Sequence, residues 1–140
     1  MPKDKIDYVF PYVDNSDEKW LASFKKYTKN NSKHLLYNEN LDTNSGRFRA
    51  NEEMLKYKLR ALEKYMPWVG IVHFIVASPT QIPKWLNKDT VNIVYHYQII
   101  PNQFLPIFNV NPIELNLHNI VGLSDKFIYS NDDVFPNNTL

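Results

Sequence analysis

Cysteine is absent from the sequence. That absence excludes disulfide staples, zinc–thiolate sites and thiol nucleophiles together. Glycine is scarce: the three present, Gly46, Gly70 and Gly122, are far apart, so neither a dinucleotide fingerprint nor a Walker phosphate loop can be built from them. No apolar stretch approaches the roughly 18 residues needed to cross a bilayer, and no apolar run with a basic flank marks a secretory leader. Charge of one sign is lacking too. Sixteen Lys and Arg against fifteen Asp and Glu leave a formal +1, too little for a field that would gather nucleic acid or an anionic membrane. The four histidines, His34, His73, His96 and His118, show no metal-ligand spacing. What is present is 140 residues, 44% of them apolar, enough for one core. The expectation is one soluble, cytoplasmic domain.

The apolar pattern predicts an α/β fold, a mainly parallel sheet flanked by helices. Ile6 to Val13 is β-branched and aromatic and ends at the polar cluster Asp14-Asn15-Ser16-Asp17, a strand followed by a loop. Pro11 cannot donate to a ladder, which predicts fraying or a bulge there. A helix starting at Ser16 or Asp17 would carry Trp20, Leu21, Phe24 and Tyr27 at helical spacing. Residues 28–46 are polar and rich in Asn, Ser and Lys, a connection or weak helix. A second helix is predicted from a cap at Asn51 to Pro67, with Leu55, Leu59, Leu62 and Met66 as its apolar stripe and Lys58, Arg60 and Lys64 toward its end. Val69 to Ala77 is almost wholly apolar, as suits a strand covered on both faces. Ile82 to Leu86 reads as a helical turn, Val91 to His96 as a strand, and a proline-containing loop follows. Pro112 to Ile120 reads as a helix with Ile113, Leu117 and Ile120 on one face, closed by Gly122, before a last strand at Phe127 to Tyr129.

Several side chains can carry chemistry. Asn131-Asp132-Asp133 directly follows the last strand, where open α/β sheets bind ligands. Two adjacent carboxylates there can hold a hard divalent cation that neutralises a diphosphate; the same residues also suit a plain turn. Asp14 and Asp17 follow the first strand in the same way and equally suit helix capping. Arg47 and Arg49 can meet phosphate oxygens or simply lie on a solvated face. Glu114 sits among Pro112, Ile113 and Leu115, a neighbourhood that would raise its pKa and suit a base, unless it is a surface carboxylate. His73, inside an apolar run, reads as a satisfied core residue.

Taken in order, these segments resemble the Stealth family of sugar-1-phosphate transferases. The resemblance is carried by Ile6–Asp17, by Arg47-Phe48-Arg49-Ala50-Asn51-Glu52-Glu53-Met54 running on to Pro67-Trp68-Val69, by Gln81–Asn87 and Leu105–Asn109, and by Ile113-Glu114, Leu117–Ile120, Gly122-Leu123-Ser124 and Phe127–Phe135. Tyr12 stands where the family usually has Trp, Asn15 where it has Gly, and Ala50 where it has an acidic residue. The resemblance implies a Rossmann-like nucleotide-sugar domain. It implies transfer of a sugar-1-phosphate from a nucleotide-diphosphate sugar to a hydroxyl of a saccharide acceptor in capsular or other surface polysaccharide synthesis, with release of UMP from a UDP-sugar and with Mg²⁺ or Mn²⁺. By the same resemblance Glu114 and Asp133 are catalytic, Asp132 and Asp133 bind the metal, and Tyr12, Asp14, Arg47 and Asn51 bind the donor.

The family's later segments add an Arg and a His to the site. Residues 1–140 are therefore expected to form the N-terminal portion of a catalytic domain, incomplete and weakly active or inactive in isolation. Two rival readings stand beside this one. The chain can be a non-catalytic module that binds a nucleotide-sugar or pairs with a partner, including a second copy through an exposed sheet edge. It can also belong to a metal-dependent glycosyltransferase that moves the sugar alone and releases UDP.

Overall fold

The structure, a computed structural model, describes residues 5–30 and 52–139. Among the described residues, four strands, β1 (Ile6–Pro11), β2 (Val72–Val76), β3 (Asn92–Tyr95) and β4 (Lys126–Tyr129), form one sheet in the order β3-β2-β1-β4. Every pairing is parallel, as the alternation of apolar segments with helical ones predicts, and the arrangement is consistent with a Rossmann-like α/β fold. The order reverses between β1 and β4, so these two neighbours flank the topological switch point.

The period-2 alternation of β1 divides its side chains between two cores. Tyr8, Phe10 and Tyr12 face α2 (Glu52–Tyr65), where Leu55, Leu62 and Met66 close over them and over Phe74 and Val76 of β2. Val9 faces the other way, packing with Ile75, Val94, Ile99, Ile100, Ile113, Leu117 and Ile120. With both faces covered, β1 and β2 are buried almost throughout, which is why their sequences read as nearly continuous apolar runs. The predicted Ile113–Leu117–Ile120 face is the one that covers the sheet, although the segment divides into α4 (Asn111–Leu115) and a 3₁₀ turn, Leu117–Asn119. Gly122 ends it at φ 83°, the left-handed region that glycine enters without a Cβ clash.

Several expectations need correction. Pro11 neither frays nor bulges; it stays in register opposite Ile75. The N–H groups of Tyr8 and Tyr12 donate to Ile71 and Ile75 of the β2 side, so the imino nitrogen of Pro11 faces β4, past the last pairing of Val9 with Tyr129. The proline costs no ladder bond. The first helix, α1 (Glu18–Asn30), starts at the predicted cap, for Asp17 accepts from the Lys19 N–H at 3.1 Å. It buries Trp20 and Phe24 but leaves Tyr27 exposed. It also runs on through Thr28, whose hydroxyl donates to the Phe24 carbonyl at 2.7 Å, so the polar connection expected at 28–46 begins later; residues 31–46 lie outside the described residues. The helical turn expected over Ile82–Leu86 is a single turn closed by Leu86 N–H to the Pro83 carbonyl at 3.2 Å. The loop expected after β3 instead opens with α3 (His96–Ile99), where the Gln98 side chain accepts from the Tyr95 N–H at 2.8 Å. Among the described residues no helix is long and apolar enough to cross a membrane.

Candidate active site

The carboxyl ends of β1 and β4 open into a cleft of about 270 Å³, near the lower bound of roughly 300 Å³ usual for small-molecule sites. One wall is apolar, from Trp20 of α1, Phe108 and Ile113. Trp20 and Phe24 stack at 5.2 Å between centroids, and Phe108 meets both rings edge-on. The other wall is polar: Tyr12, His96, Asn131, Asp132 and Asp133. Two segments nearly 120 residues apart in sequence thus meet because parallel pairing of β4 with β1 brings Tyr129 beside Val9.

Asp132 and Asp133 lie in the loop that leaves β4, with Asp132 half-buried and Asp133 exposed. Burial and the neighbouring Asp133 charge raise the pKa of Asp132, and Lys58 opposes the rise. The two carboxylates therefore repel each other in a partly desolvated place. Among the described residues no group of three or more acidic or histidine side chains converges to enclose a metal. This donor set, one or two carboxylates at a cleft mouth, is the kind that holds Mg²⁺ or Mn²⁺ with water and substrate phosphate oxygens completing the shell.

Tyr12 is buried, its ring 5.3 Å from Phe74 between centroids, and its hydroxyl has no hydrogen-bond partner among the described residues. Burial, with the negative charges of Asp14, Glu52 and Asp132, holds this phenol well above its usual pKa, so it stays protonated and available to donate. Asp14 folds back on its own loop, its Oδ1 accepting from the backbone N–H and the hydroxyl of Ser16 at 2.9 and 2.6 Å. Asp17 caps α1 and also accepts from Thr80 and Gln81. Its capping role is the one the structure displays.

Glu114 is exposed on α4, which turns Ile113 into the core instead. The apolar surroundings expected around it are absent, because the short helix presents this position to solvent. Burial, and after it the negative charge of Glu114, raises the pKa of the Tyr129 phenol. Glu114 thus stands beside β4 but is not among the residues that line the cleft. Arg47, Arg49 and Asn51 lie outside the described residues.

Three further residues shape the site and carry weak signals in the sequence. Lys58 is wholly buried in α2; its Nζ donates to Ser130 Oγ at 2.8 Å and to the Asn131 carbonyl at 2.5 Å. Gln81, also buried, clamps the loop after β1, accepting from the Asp14 N–H at 2.6 Å and donating to the Asp14 carbonyl and to Asp17. His96 begins α3 at the carboxyl end of β3 and lines the cleft. Burial lowers its pKa to about 4, so the imidazole is neutral at pH 7. Only the position of His96 at a strand end could have singled it out. His73, by contrast, is the satisfied core residue it was expected to be, held between Asp7 and Asn92 at 2.9 Å each.

Residues 47–140 match the family model described as Stealth protein CR2, conserved region 2. The chain is 42% identical over 134 residues to the capsular polysaccharide phosphotransferase LcbA of Neisseria meningitidis, covering 94% of this chain and 35% of that protein. It is 42% identical over 135 residues to the exopolysaccharide phosphotransferase cps2G of Lactiplantibacillus plantarum, covering 94% and 36%. It is 38% identical over 135 residues to the receptor polysaccharide phosphotransferase WefC of Streptococcus oralis, covering 94% and 38%. The chain spans about a third of the length of the curated relatives it matches.

Proposed function

The chain belongs to the Stealth family, and from that premise we propose that the protein it forms part of transfers a sugar-1-phosphate from a nucleotide-diphosphate sugar to a hydroxyl of a growing surface polysaccharide. The reading places this reaction in the bacterial cytoplasm. The observation that carries it is the pair Asp132 and Asp133 at the β1/β4 switch point, beside a cleft of a size for one ring.

In this reading the donor's diphosphate lies over the acidic loop and its nucleoside or sugar ring enters the cleft. A divalent cation held by Asp132 and Asp133 would neutralise the diphosphate and stabilise charge on the transferring phosphoryl group. Glu114, exposed on the β4 side, takes the proton of the acceptor hydroxyl. The acceptor oxygen then bonds to the phosphorus next to the sugar, the bond from that phosphorus to the bridging oxygen breaks, and the nucleoside monophosphate leaves with that oxygen. Tyr12, a buried phenol that stays protonated, donates a hydrogen bond to a donor oxygen, and Asp14 holds the loop that carries it. Arg47 and Asn51 remain the proposed donor contacts from the sequence.

The deciding experiment labels the β-phosphorus of a UDP-sugar and offers it with Mn²⁺ and a saccharide acceptor. Label in the saccharide, with UMP released, is the expected result. Label retained in released UDP would mean transfer of the sugar alone and would overturn the proposal.

A further inference from the structure

Lys58 raises a question that packing does not answer. Removing an ammonium group from water costs several kcal/mol, and Lys58 is fully buried. A methionine would lay the same aliphatic stem across the core without that cost. The ammonium instead sits over the Phe10 ring, 4.1 Å from its centroid, and reaches the first two residues after β4. There the hydrogen bonding is saturated. Ser130 Oγ accepts from Lys58 and, at 2.6 Å, from the Tyr8 hydroxyl, and it donates to the Asn131 carbonyl at 3.2 Å. That carbonyl also accepts from Lys58. The next two residues are Asp132 and Asp133.

We infer that Lys58 is a positioning residue for the acidic loop: from α2 it fixes Ser130 and Asn131, so that Asp132 and Asp133 meet the donor's diphosphate in a geometry set before the ligand arrives. The inference rests on the donor-site reading of the switch point. Pre-setting matters because a misplacement of about 1 Å can cost on the order of a hundredfold in rate. Lys58 touches no ligand in this scheme; it acts through Ser130 and Asn131. Tyr8 supports the same serine from β1, so the loop is tied to both α2 and the sheet.

The test compares the wild-type protein with Lys58→Met and Lys58→Arg in two measurements. The first is hydrogen exchange of the segment 130–135, which needs no ligand. Lys58→Met should exchange there roughly tenfold faster, with β1 and β2 unchanged. The second is calorimetric titration with UDP and Mn²⁺, where Lys58→Met should bind at least about tenfold more weakly and Lys58→Arg, which keeps the cation and its donors, should recover to within about threefold. A purely structural lysine would lower the melting temperature without that pattern of loss and rescue. Unchanged exchange at 130–135 overturns the inference, as does wild-type affinity for UDP in a folded Lys58→Met protein. Should wild type itself give no heat with UDP and Mn²⁺, the donor-site reading falls, while the exchange result still decides whether Lys58 positions the loop. If Lys58→Met does not melt cooperatively, Ser130→Ala replaces it, and unchanged exchange over 131–135 in that variant overturns the inference equally.

Discussion

Asp7 offers the sharpest test of how the sheet is held at the end opposite the cleft. Its carboxylate is fully buried near the start of β1. Oδ1 accepts from the Ile71 N–H at 2.8 Å; Oδ2 accepts from the Ser124 N–H at 3.0 Å and lies 2.9 Å from His73 Nε2. The other ring nitrogen of His73 lies 2.9 Å from the Asn92 amide, which, donating, leaves the imidazole proton on Nε2, directed at Asp7. Asp7→Ala removes the acceptor from three N–H donors, that of His73 buried and those of Ile71 and Ser124 part-buried. Each donor left unpaired costs about 1–3 kcal/mol, and the two that are only part-buried keep the sum of the three toward its lower end. A loss of roughly 3–5 kcal/mol is therefore expected, against a total stability usually near 5–15 kcal/mol. Burial alone would raise the pKa of this carboxyl, but the bonds from His73, Ile71 and Ser124 outweigh it and hold the value below the usual carboxylate range. With the folded pKa depressed, the contribution of Asp7 is present above the unfolded value of 3.8 and lost as pH falls through the folded one. Urea unfolding followed by circular dichroism at pH 7 measures the first effect as a lower midpoint, and repetition below pH 4 measures the second as a narrowing gap between variant and wild type. A loss under about 1 kcal/mol at pH 7, or a gap that stays constant into acid, would refute the reasoning.

Four further outcomes follow from the same geometry. Burial lowers the Lys58 pKa to about 7 from 10.5, so the unfolded chain binds more protons across that window and stability should rise with pH there. The slope is at most about 1.4 kcal/mol per unit, and Lys58→Met should flatten it in urea titrations across pH 7 to 10. Asp132→Asn removes a carboxylate repelled by Asp133; thermal melting should show stability equal to or above wild type, while calorimetry shows Mn²⁺-dependent UDP binding lost. Gly70→Ala would bring a Cβ within 2.6 Å of Asp7 Oδ1 and cost about 1–3 kcal/mol by overpacking, whereas Gly122→Ala meets nothing within 4 Å and should lose only about 1–2 kcal/mol through its positive φ. Ile113→Ala, emptying a buried position against Val9 and Ile75, should cost about 2–5 kcal/mol in urea unfolding.

The elements with strong patterns were legible in the sequence because one force decided each of them. Leu55 and Leu62, with Met66 just past its end, mark the inner face of α2, and Ile113, Leu117 and Ile120 mark the segment that covers the other face of the sheet. The cleft was legible to the extent that it follows strand ends, as with Tyr12, Asp132 and Asp133, which line it. What could not be read depends on long-range placement. Lys58 carries the same formula as the half-buried Lys56 and the exposed Lys64 of α2, and only the register of α2 over Phe10 turns it inward. Asp7 looks like a polar break in an apolar strand until Ile71, His73 and Ser124 surround it. Glu114 failed in the opposite sense: its apolar neighbours in sequence suggest burial, but on a five-residue helix they point elsewhere.

The choice between a plain turn and a ligand site at Asn131-Asp132-Asp133 can be argued from energy. A turn needs only residues that tolerate its backbone and that water can solvate. It gains nothing from a half-buried carboxylate beside a second one, nor from a lysine withdrawn from water to brace the two residues before them. Here both features occur together: burial, and after it the charge of Asp133, raises the pKa of Asp132, and Lys58 bonds to Ser130 and Asn131 from a buried position. Each arrangement costs stability in the free protein. A positively charged ligand between the two carboxylates would relieve the repulsion, and a braced loop would bind it with little further ordering. A costly arrangement of this kind, placed where the strand order of the described sheet reverses, is what the proposed cation and diphosphate site would call for and a plain turn would not.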